Sequence, residues 1–337
     1  MRRQAWVLGL VMAAGFVFNA FSGPPARASE AADFYKGKTL TWIVSTGPGG
    51  GHDFFARLIS KHMATLLPDT TIIVKNVPGA GHIIGANTVY FSKPDGLTIG
   101  SFSTGLVYAQ LVGMPGIQFD LTKMSWIGKA ASDTRVLVVS TKSPFKTLAD
   151  MRDPNRQVLF ASSGIGSGSH IEANMVARAF KMNAKHLTGY NGSEGHMSML
   201  RGETHASMDG SETSMQLVNK GGAFLMLQFG KELPGVPDGR DFADTDDAKA
   251  VVSLLEAQSL LARITAGPPG IPADRLAFLR EIYLKTLASP ELQADLARAK
   301  RTTTPMSGEQ VTIAIQKALN QPEDVVATLK SLVTKVD

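Results

Sequence analysis

The chain has 337 residues, of which 44% are hydrophobic and 19% charged, so it is long enough to bury the cores of about two domains. It contains no cysteine, which excludes disulfides, thiolate metal sites, iron–sulfur clusters and cysteine nucleophiles. The formal net charge of +5 raises nucleic acid as a partner, and the position of the charges decides that question.

The N-terminal segment predicts export. Arg2 and Arg3 precede an apolar run over residues 5–18, and a small-residue tripeptide follows at residues 26–28. This order is typical of a signal peptide comprising residues 1–28, and the apolar run is shorter than the roughly 20 residues of a membrane-spanning helix. Its removal lowers Lys and Arg from 34 to 31 against 29 Asp and Glu, so the mature chain carries +2. We therefore expect no nucleic-acid partner.

Strands and helices alternate along the mature chain. Apolar β-favouring runs predict the strands, and apolar residues at helical spacing predict the helices. We predict strands over residues 40–45, 71–74, 97–101, 135–140, 158–161, 186–188, 223–228 and 260–265. We predict helices from residue 53 onward, over residues 83–91, 170–180, 273–287, 290–300 and 308–319, and around residues 197–200. Such alternation indicates an α/β protein with largely parallel sheets.

Four loops share one design, in which a strand ends, glycines permit tight turns and a helix begins. They comprise residues 47–53, 78–82, 162–170 and 189–193. In open α/β sheets, ligands bind beyond the carboxyl ends of the strands, and helix N-termini carry about half a positive charge. Backbone N–H groups in such loops hold a carboxylate without Lys or Arg. Any one loop is also explained as a simple turn, and the recurrence of the design favours binding of a small anion.

Motifs for nucleotide binding and hydrolysis are incomplete. Residues 37–39 resemble the end of a Walker sequence, but they precede a strand rather than follow one. A dinucleotide pattern that starts at Gly164 ends on Ser169, where a glycine is required. Ser167 lacks a glycine two residues before it, so no nucleophile elbow is present. A hydrolase therefore has little support.

Three histidines in the loops leave a metal-dependent alternative open. His52, His82 and His170 could converge on one cleft with Asp53 and bind a metal ion. No HxxxH or HExxH spacing supports this, and Asp53 is better explained by the helix dipole, as an acceptor for a ligand donor, or by pairing with Arg57. We predict no catalytic residue, metal or cofactor. A metal-dependent hydrolase or lyase, or a receptor for a metal ion or siderophore, remains the alternative.

Together the motifs resemble those of the periplasmic solute-binding proteins of tripartite tricarboxylate transporters, also called Bug receptors. The similarity extends over nearly the whole mature chain, and the segments are specific in combination rather than singly. The segments that carry it are Gly49-Gly-Gly-His-Asp53 with Ala56-Arg57, Asn76-Val-Pro-Gly-Ala-Gly81 with Ile84-Gly85, Pro94-Asp-Gly96, Ser162-Ser-Gly-Ile-Gly-Ser167 with His170, Tyr190-Asn-Gly192, Leu233-Pro-Gly-Val-Pro237 and Gly267-Pro-Pro-Gly-Ile-Pro272.

The resemblance implies a two-domain, venus-flytrap fold of the type II periplasmic binding class, each domain a mostly parallel sheet flanked by helices. Residues 29–138 and 266–337 then form domain 1, and residues 139–265 form domain 2. Closure is expected about two crossing strands near residues 138–140 and 264–266. The function implied is a periplasmic, non-enzymatic, monomeric receptor that delivers a small organic carboxylate to integral membrane subunits.

The resemblance also implies a set of ligand-binding residues on both domains. Those on the first domain are Ser45, Thr46, Gly47, Gly49, Gly50, Gly51, His52, Asp53, Pro78, Gly79, Ala80 and Gly81. Those on the second are Ser162, Ser163, Gly166, Ser167, His170, Tyr190, Asn191, Gly192 and Asp209. His52 replaces a small residue that is more usual in the family, and the pair at residues 54–55 is bulkier, so these departures bear on the choice of ligand rather than on the fold.

Overall fold

The computed structural model describes residues 26–191, 193–230, 232–321 and 323–334, so most of the predicted signal peptide lies outside the described residues. Eleven strands occur within these ranges: β1 Thr39–Val44, β2 Thr71–Asn76, β3 Thr98–Phe102, β4 Ser125–Lys129, β5 Arg135–Ser140, β6 Val158–Ser162, β7 Ala184–Thr188, β8 Ala206–Gly210, β9 Ala223–Phe229, β10 Ile264–Gly267 and β11 Met306–Ser307. They form two separate sheets.

Helices cover both sheets. Those in the described ranges are α1 Ala26–Tyr35, α2 Gly51–Leu66, α3 Ile83–Tyr90, α4 Gly105–Val112, α5 Leu148–Met151, α6 Gly168–Ala179, α7 Glu194–Arg201, α8 Ser211–Val218, α9 Asp246–Ser259, α10 Ala273–Ala288, α11 Pro290–Arg298, α12 Gly308–Leu319 and α13 Glu323–Thr334, with 3₁₀ turns at Ala80–His82 and Gly239–Phe242. None of these helices is long and apolar enough to cross a bilayer.

The two sheets share one strand arrangement. The first has the order β11-β4-β10-β3-β1-β2, and the second has the order β7-β6-β8-β5-β9. Neighbouring strands β1, β2 and β3 are parallel, as are β6, β7 and β8. In each sheet one inserted strand runs the other way: β10 is antiparallel to β3 and β4, and β5 is antiparallel to β8 and β9. Most strands of each sheet therefore point in one direction, and the sheets are mixed.

The chain crosses between the domains at two adjacent segments, residues 130–134 and 260–263. The backbone N–H of Ala130 donates to the carbonyl of Arg263 (3.1 Å), and that of Asp133 donates to the carbonyl of Ser259 (3.0 Å). The first crossing lies before Arg135 rather than near residue 138, because hydrogen bonds of β5 to the second sheet begin at Arg135. The paired segments are therefore adjacent connections between the two sheets, and we call them the crossing segments.

One predicted strand is shorter in the structure, and the last helix contacts both α4 and α6. The strand expected over residues 260–265 begins only at Ile264, because Arg263 has a left-handed backbone (φ 58°) that ends the turn before it. The C-terminal helix α13, expected in the first domain, packs against α6 of the second domain and against α4.

Apolar cores lie on the faces of both sheets. The largest fully buried side chains of the first sheet are Trp42 on β1 and Trp126 on β4, which lie in the clusters on opposite faces. The core of the second domain also contains Tyr108 of α4, whose hydroxyl donates to the carbonyl of Leu254 (2.8 Å), and Leu329 of α13. The two helices α4 and α13 therefore connect the domains on the side that carries this core.

Candidate functional site

A polar cavity of about 90 Å³ lies between the two domains. The cavity lies at the carboxyl ends of strands β1, β3, β6 and β8, where the helices α2, α4, α6 and α8 begin. Ligands of open α/β sheets bind at this end of the strands. The lining residues are Thr46, Gly50, Gly51, His52, His82, Ser103, Asp133, Arg135, Ser163, Ser169, Asp209, Gly210, Thr213 and Arg263. Residues around both sheets therefore contribute to one site.

Asp53 fixes the glycine loop at the start of α2. Its carboxylate accepts hydrogen bonds from the Gly49 amide (3.0 Å), Arg57 Nε (2.9 Å) and Asn76 Nδ2 (2.9 Å). Burial would raise its pKa, but these three donors hold the pKa below its usual value. The predicted Asp53–Arg57 pair is present. Because Gly50 is the N-cap and offers no side chain, the first amides of α2 keep their capacity for an anion.

Two neutral imidazoles and a hydroxyl face the cavity without hydrogen-bond partners among the described residues. His82 has both ring nitrogens unpartnered, and Nδ1 of His52 and Oγ1 of Thr46 are also buried and unpartnered. Burial lowers the pKa of His82 to about 4, and burial with the nearby Arg263 charge lowers the pKa of His52 well below its usual value. Each neutral ring offers one donor and one acceptor to a ligand.

Arg135 lines the cavity from the start of β5. Its Nε donates to Oε2 of Glu172 on α6 (2.9 Å), and its Nη2 donates to the same oxygen. Glu172 is fully buried and also accepts from Nε2 of Gln258 on α9. Burial raises the pKa of Glu172, while Arg135 opposes that rise. The positive charge of Arg135 is therefore largely compensated within the protein.

A second ionic cluster joins the two crossing segments. Arg263 pairs with Asp133, and its guanidinium lies 3.6 Å from Glu212 at the first turn of α8. Arg301 approaches the same Glu212 oxygen at 3.7 Å. Arg263 also lies over the ring of Phe55, at 5.6 Å from its centroid. The cluster thereby links both crossings to a helix of each domain.

Asp209 lies at the end of β8, where it was expected near the cleft. Its Oδ2 lies 2.9 Å from Nε2 of His196 on α7, and its Oδ1 accepts the backbone N–H of Gly210 (3.2 Å). Burial would raise the pKa of Asp209, but the hydrogen bond and charge of His196, the charge of Arg135 and the Gly210 amide lower it. The carboxylate is therefore ionised at neutral pH.

The glycine loops of the two domains touch around the cavity. A Cβ atom on Gly81 would stand 2.6 Å from the carbonyl carbon of Gly166, and one on Gly105 would stand 2.6 Å from the amide nitrogen of Gly168. A Cβ on Gly49 would stand 3.2 Å from Oγ of Ser193. Only glycine at the first two positions permits these backbones to approach so closely, so the arrangement is a closed one.

Six of the predicted ligand-binding residues line the cavity, and the other predicted residues that the structure describes do not. The six are Thr46, Gly50, Gly51, His52, Ser163 and Asp209. Gly192 lies outside the described residues. The remaining residues, apart from His170, belong to the surrounding loops or their contacts: Ser45, Gly47, Gly49, Asp53, Pro78, Gly79, Ala80, Gly81, Ser162, Gly166, Ser167, Tyr190 and Asn191. Most of the predicted loop residues therefore surround the cavity without lining it.

His170 lies in a different place from the one expected. Its ring meets that of His186 edge-on at 5.5 Å and lines a separate groove beside α6. With Asp53 engaged in its own loop, the four residues of the metal-dependent alternative are not assembled into one site. The described part of the chain holds no group of three or more His, Asp or Glu side chains placed to hold a metal ion.

Sequence reasoning found one charged residue of the site, Asp209, and missed three. Asp133, Arg135 and Arg263 line the cavity, yet the two arginines lie within runs interpreted only as buried strands. An arginine in such a run was a usable signal, because a buried arginine requires an acidic partner. Three uncharged residues were also missed, because no glycine-rich loop marks them: Ser103 after β3, Gly210 at the end of β8 and Thr213 in the first turn of α8.

Comparison with known proteins identifies the family. Residues 55–330 match the model described as tripartite tricarboxylate transporter family receptor. A protein encoded in the tcbD-tcbE intergenic region of Pseudomonas sp. (strain P51) is 26% identical over 298 residues, which are 81% of this chain and 86% of that protein.

Solved structures share the fold. Periplasmic binding protein BugD has a TM-score of 0.74 at 19% identity, covering 88% of this chain and 98% of its own. MatC from Rhodopseudomonas palustris, solved with bound malate, has a TM-score of 0.70 at 19% identity, covering 88% and 99%. These likenesses confirm the predicted two-domain type II periplasmic binding fold, and with the family match over most of the chain they lead to one conclusion: this protein belongs to the tripartite tricarboxylate transporter receptor family.

Proposed function

We propose that this protein is a periplasmic solute-binding receptor that captures a small organic carboxylate between its domains and delivers it to the membrane subunits of a tripartite transporter. Its family consists of receptors of such transporters, and MatC, which shares the fold, was solved with malate. The observation that carries the proposal is the polar cavity, whose lining residues Thr46, His52 and His82 hold buried polar atoms without hydrogen-bond partners beside a helix N-terminus that no side chain caps.

The carboxylate binds to the first domain. The amides at the start of α2, the Thr46 hydroxyl and N–H groups of the neutral histidines donate to its oxygens, and the dipole of α2 favours its negative charge. Ser103 adds a hydroxyl to these donors of the first domain, and Ser163 and Thr213 add hydroxyls from the second domain. These groups recognise a carboxylate without a free arginine, because Arg135 and Arg263 are both held by acidic partners.

Domain closure completes the site. The paired crossing segments at residues 130–134 and 260–263 form the hinge, and contacts such as that of Gly81 with Gly166 hold the closed state. A ligand shifts the balance toward closure only as far as it binds the closed state more tightly than the open one. Because the lining comes from both domains, a bound carboxylate stabilises closure directly.

Export precedes function in this proposal. Residues 1–28 act as a cleaved signal peptide, and the mature chain works as a monomer in the periplasm, without catalysis. The closed form then presents the ligand to the membrane subunits. The small volume of the cavity favours compact acids over long or aromatic ones.

A thermal-shift screen of the mature chain tests the proposal. The panel contains dicarboxylates, tricarboxylates, aromatic acids and amino acids at about 1 mM, each with its neutral amide as the matched control, and metal content is measured in parallel. A ligand at about 100 times its Kd should raise the Tm by roughly 5 °C, and its amide should not. The proposal fails if no carboxylate raises the Tm, or if stoichiometric zinc or manganese is present and is lost in His52→Ala.

A further inference from the structure

We propose that Asp209 makes this receptor select acids that carry a hydroxyl or ammonium group in addition to the carboxylate, and reject unsubstituted acids. This inference rests on the proposed function and specifies its substrate class. It follows from three features of the cavity: the free acceptor capacity of Asp209, the pairing of both lining arginines with acids, and the division of donors and acceptors between the two domains.

Asp209 has acceptor capacity that the protein does not use. A carboxylate has about four lone-pair positions, and His196 and the Gly210 amide occupy one on each oxygen. The side chain lines the cavity and keeps 36% of its surface exposed, whereas its partner His196 keeps 11%. Since the fold does not fill the remaining positions, a donor from the ligand can reach them.

The charged groups near Asp209 are arranged in pairs. Arg135 donates through two of its nitrogens to Glu172, Arg263 is paired with Asp133, and His196 is paired with Asp209 itself. A ligand carboxylate placed against Asp209 would therefore meet a negative charge, while both arginines that line the cavity are already paired with acids. A hydroxyl or an ammonium group at that position instead donates a hydrogen bond to an ionised acceptor, which is a strong interaction in an enclosed site.

Donors and acceptors are divided between the domains. The first domain contributes the start of α2, Thr46, His52 and His82, which suit the carboxylate. The second contributes Asp209 at the end of β8. An unsubstituted acid satisfies the donors of the first domain but brings no donor to the acceptor positions of Asp209 that His196 and the Gly210 amide leave open. Sites built around a substrate donor discriminate strongly against the analogue that lacks it.

Matched acids of one carbon skeleton provide the test. Succinate, malate and aspartate differ only in hydrogen, hydroxyl or ammonium at C2, and glutarate, 2-hydroxyglutarate and glutamate, or propionate, lactate and alanine, repeat the comparison at other lengths. In titration calorimetry we expect the tightest substituted acid to bind at least about 100-fold more tightly than its unsubstituted partner. Comparison of the hydroxy and amino acids shows which donor is preferred.

A variant then assigns the selectivity to Asp209. Asp209→Asn keeps the size of the side chain and removes its charge, so the discrimination should fall to about tenfold or less, with the amino acid losing more affinity than the hydroxy acid. The matched control is Asp69→Asn, which should leave all affinities unchanged. Asp69 precedes β2 and so lies at the end of the first sheet opposite to the cavity.

The wild-type comparison decides the inference even if the variant is unstable. If the unsubstituted acid binds within threefold of its substituted partners, the inference is wrong and the proposed carboxylate receptor stands. Unchanged discrimination in a folded Asp209→Asn variant also overturns it. If no carboxylate of any series or of the wider screen binds, the proposed function itself fails and this inference falls with it.

Discussion

Gly81 of the first domain and Gly166 of the second meet backbone to backbone, so that a Cβ atom on Gly81 would stand 2.6 Å from the Gly166 carbonyl carbon. Gly81 also has a left-handed backbone, with φ at 63°. The contact couples a loop of each domain at the rim of the cavity. Its geometry leads to the first of four predictions.

Gly81→Ala should weaken ligand binding by obstructing closure. The new methyl group would collide with backbone atoms of residues 165–167, which cannot move aside as a side-chain end can. We expect the affinity for the carboxylate to fall at least about tenfold in titration calorimetry. Gly37→Ala is the matched control, because Gly37 has a similar φ of 67° and nothing within 4 Å of the added atom. Equal affinities of the two variants would contradict closure at this contact.

His52→Leu should separate ligand binding from stability. The substitution removes an imidazole whose Nδ1 is buried without a partner, so we expect the free energy of unfolding to change by less than about 1 kcal/mol. The affinity for the carboxylate should fall about tenfold or more, because one donor is lost. His186→Leu is the control, since His186 is also a neutral histidine with an unpartnered Nδ1 but lines the separate groove. An unchanged affinity in His52→Leu would exclude this donor.

His82 should make the protein less stable in acid. Its pKa is lowered by burial to about 4 in the folded chain, against about 6.5 when unfolded. Between these values the unfolded chain binds a proton that the folded chain does not, so the free energy of unfolding falls as the pH falls. We expect His82→Asn to lose less Tm than the wild type between pH 6.5 and 4.5. Asparagine suits this position because φ is 81°.

His196 is the control for His82, because its protonation should change stability with pH in the opposite direction. Burial would lower its pKa, but the hydrogen bond and charge of Asp209 raise it. The stabilisation by this proton is present in acid and is lost as the pH rises through the folded pKa. His196→Asn should therefore lower the Tm more at pH 5.5 than at pH 8. If His82→Asn and His196→Asn alter the pH profile in the same direction, the assignment of their protonation states is wrong.

The Asp133–Arg263 pair should be costly to break from either side. Both side chains are buried, with 1% and 6% of their surfaces exposed, so each single change to alanine leaves a buried charge without its nearest partner. We expect each to lower the free energy of unfolding by about 3–5 kcal/mol. The double variant should lose less than the sum of the two, by more than about 1 kcal/mol, in urea unfolding. Additive losses would show that the two charges do not interact.

The sequence predicts regular elements well where local patterns determine them. The predicted helix over residues 308–319 matches α12, because Ser307 and Gln310 form a capping box at its start. The helix predicted over residues 273–287 ends one residue later, at Ala288. In contrast, β4 was missed because the short run Ser125–Lys129 is buried along its whole length and contains a lysine. The ammonium of Lys129 is accommodated by Ser132 Oγ and the Leu260 carbonyl, which no local pattern reveals.

The site was predictable as a position rather than as a set of side chains. Glycine loops after strands located the cleft, and Thr46 and Ser163 were found because they lie within those loops. The register between antiparallel strands brings Arg135 opposite Gly210, next to Asp209, and that pairing spans 75 residues of chain. The glycine conformation of Gly81 was consistent with its predicted loop, whereas its contact with the other domain depends on tertiary structure. Long-range pairing is therefore what the sequence patterns left out.

The burial of Trp42 and Trp126 in the first domain determines what spectroscopy can follow. The mature chain has no other tryptophan, since the third, at position 6, precedes the proposed cleavage site. Intrinsic fluorescence therefore reports the melting of the first domain, while far-ultraviolet circular dichroism reports both. Coincident unfolding curves from the two methods would indicate one cooperative unit. Divergent curves would show that the two domains unfold at different temperatures.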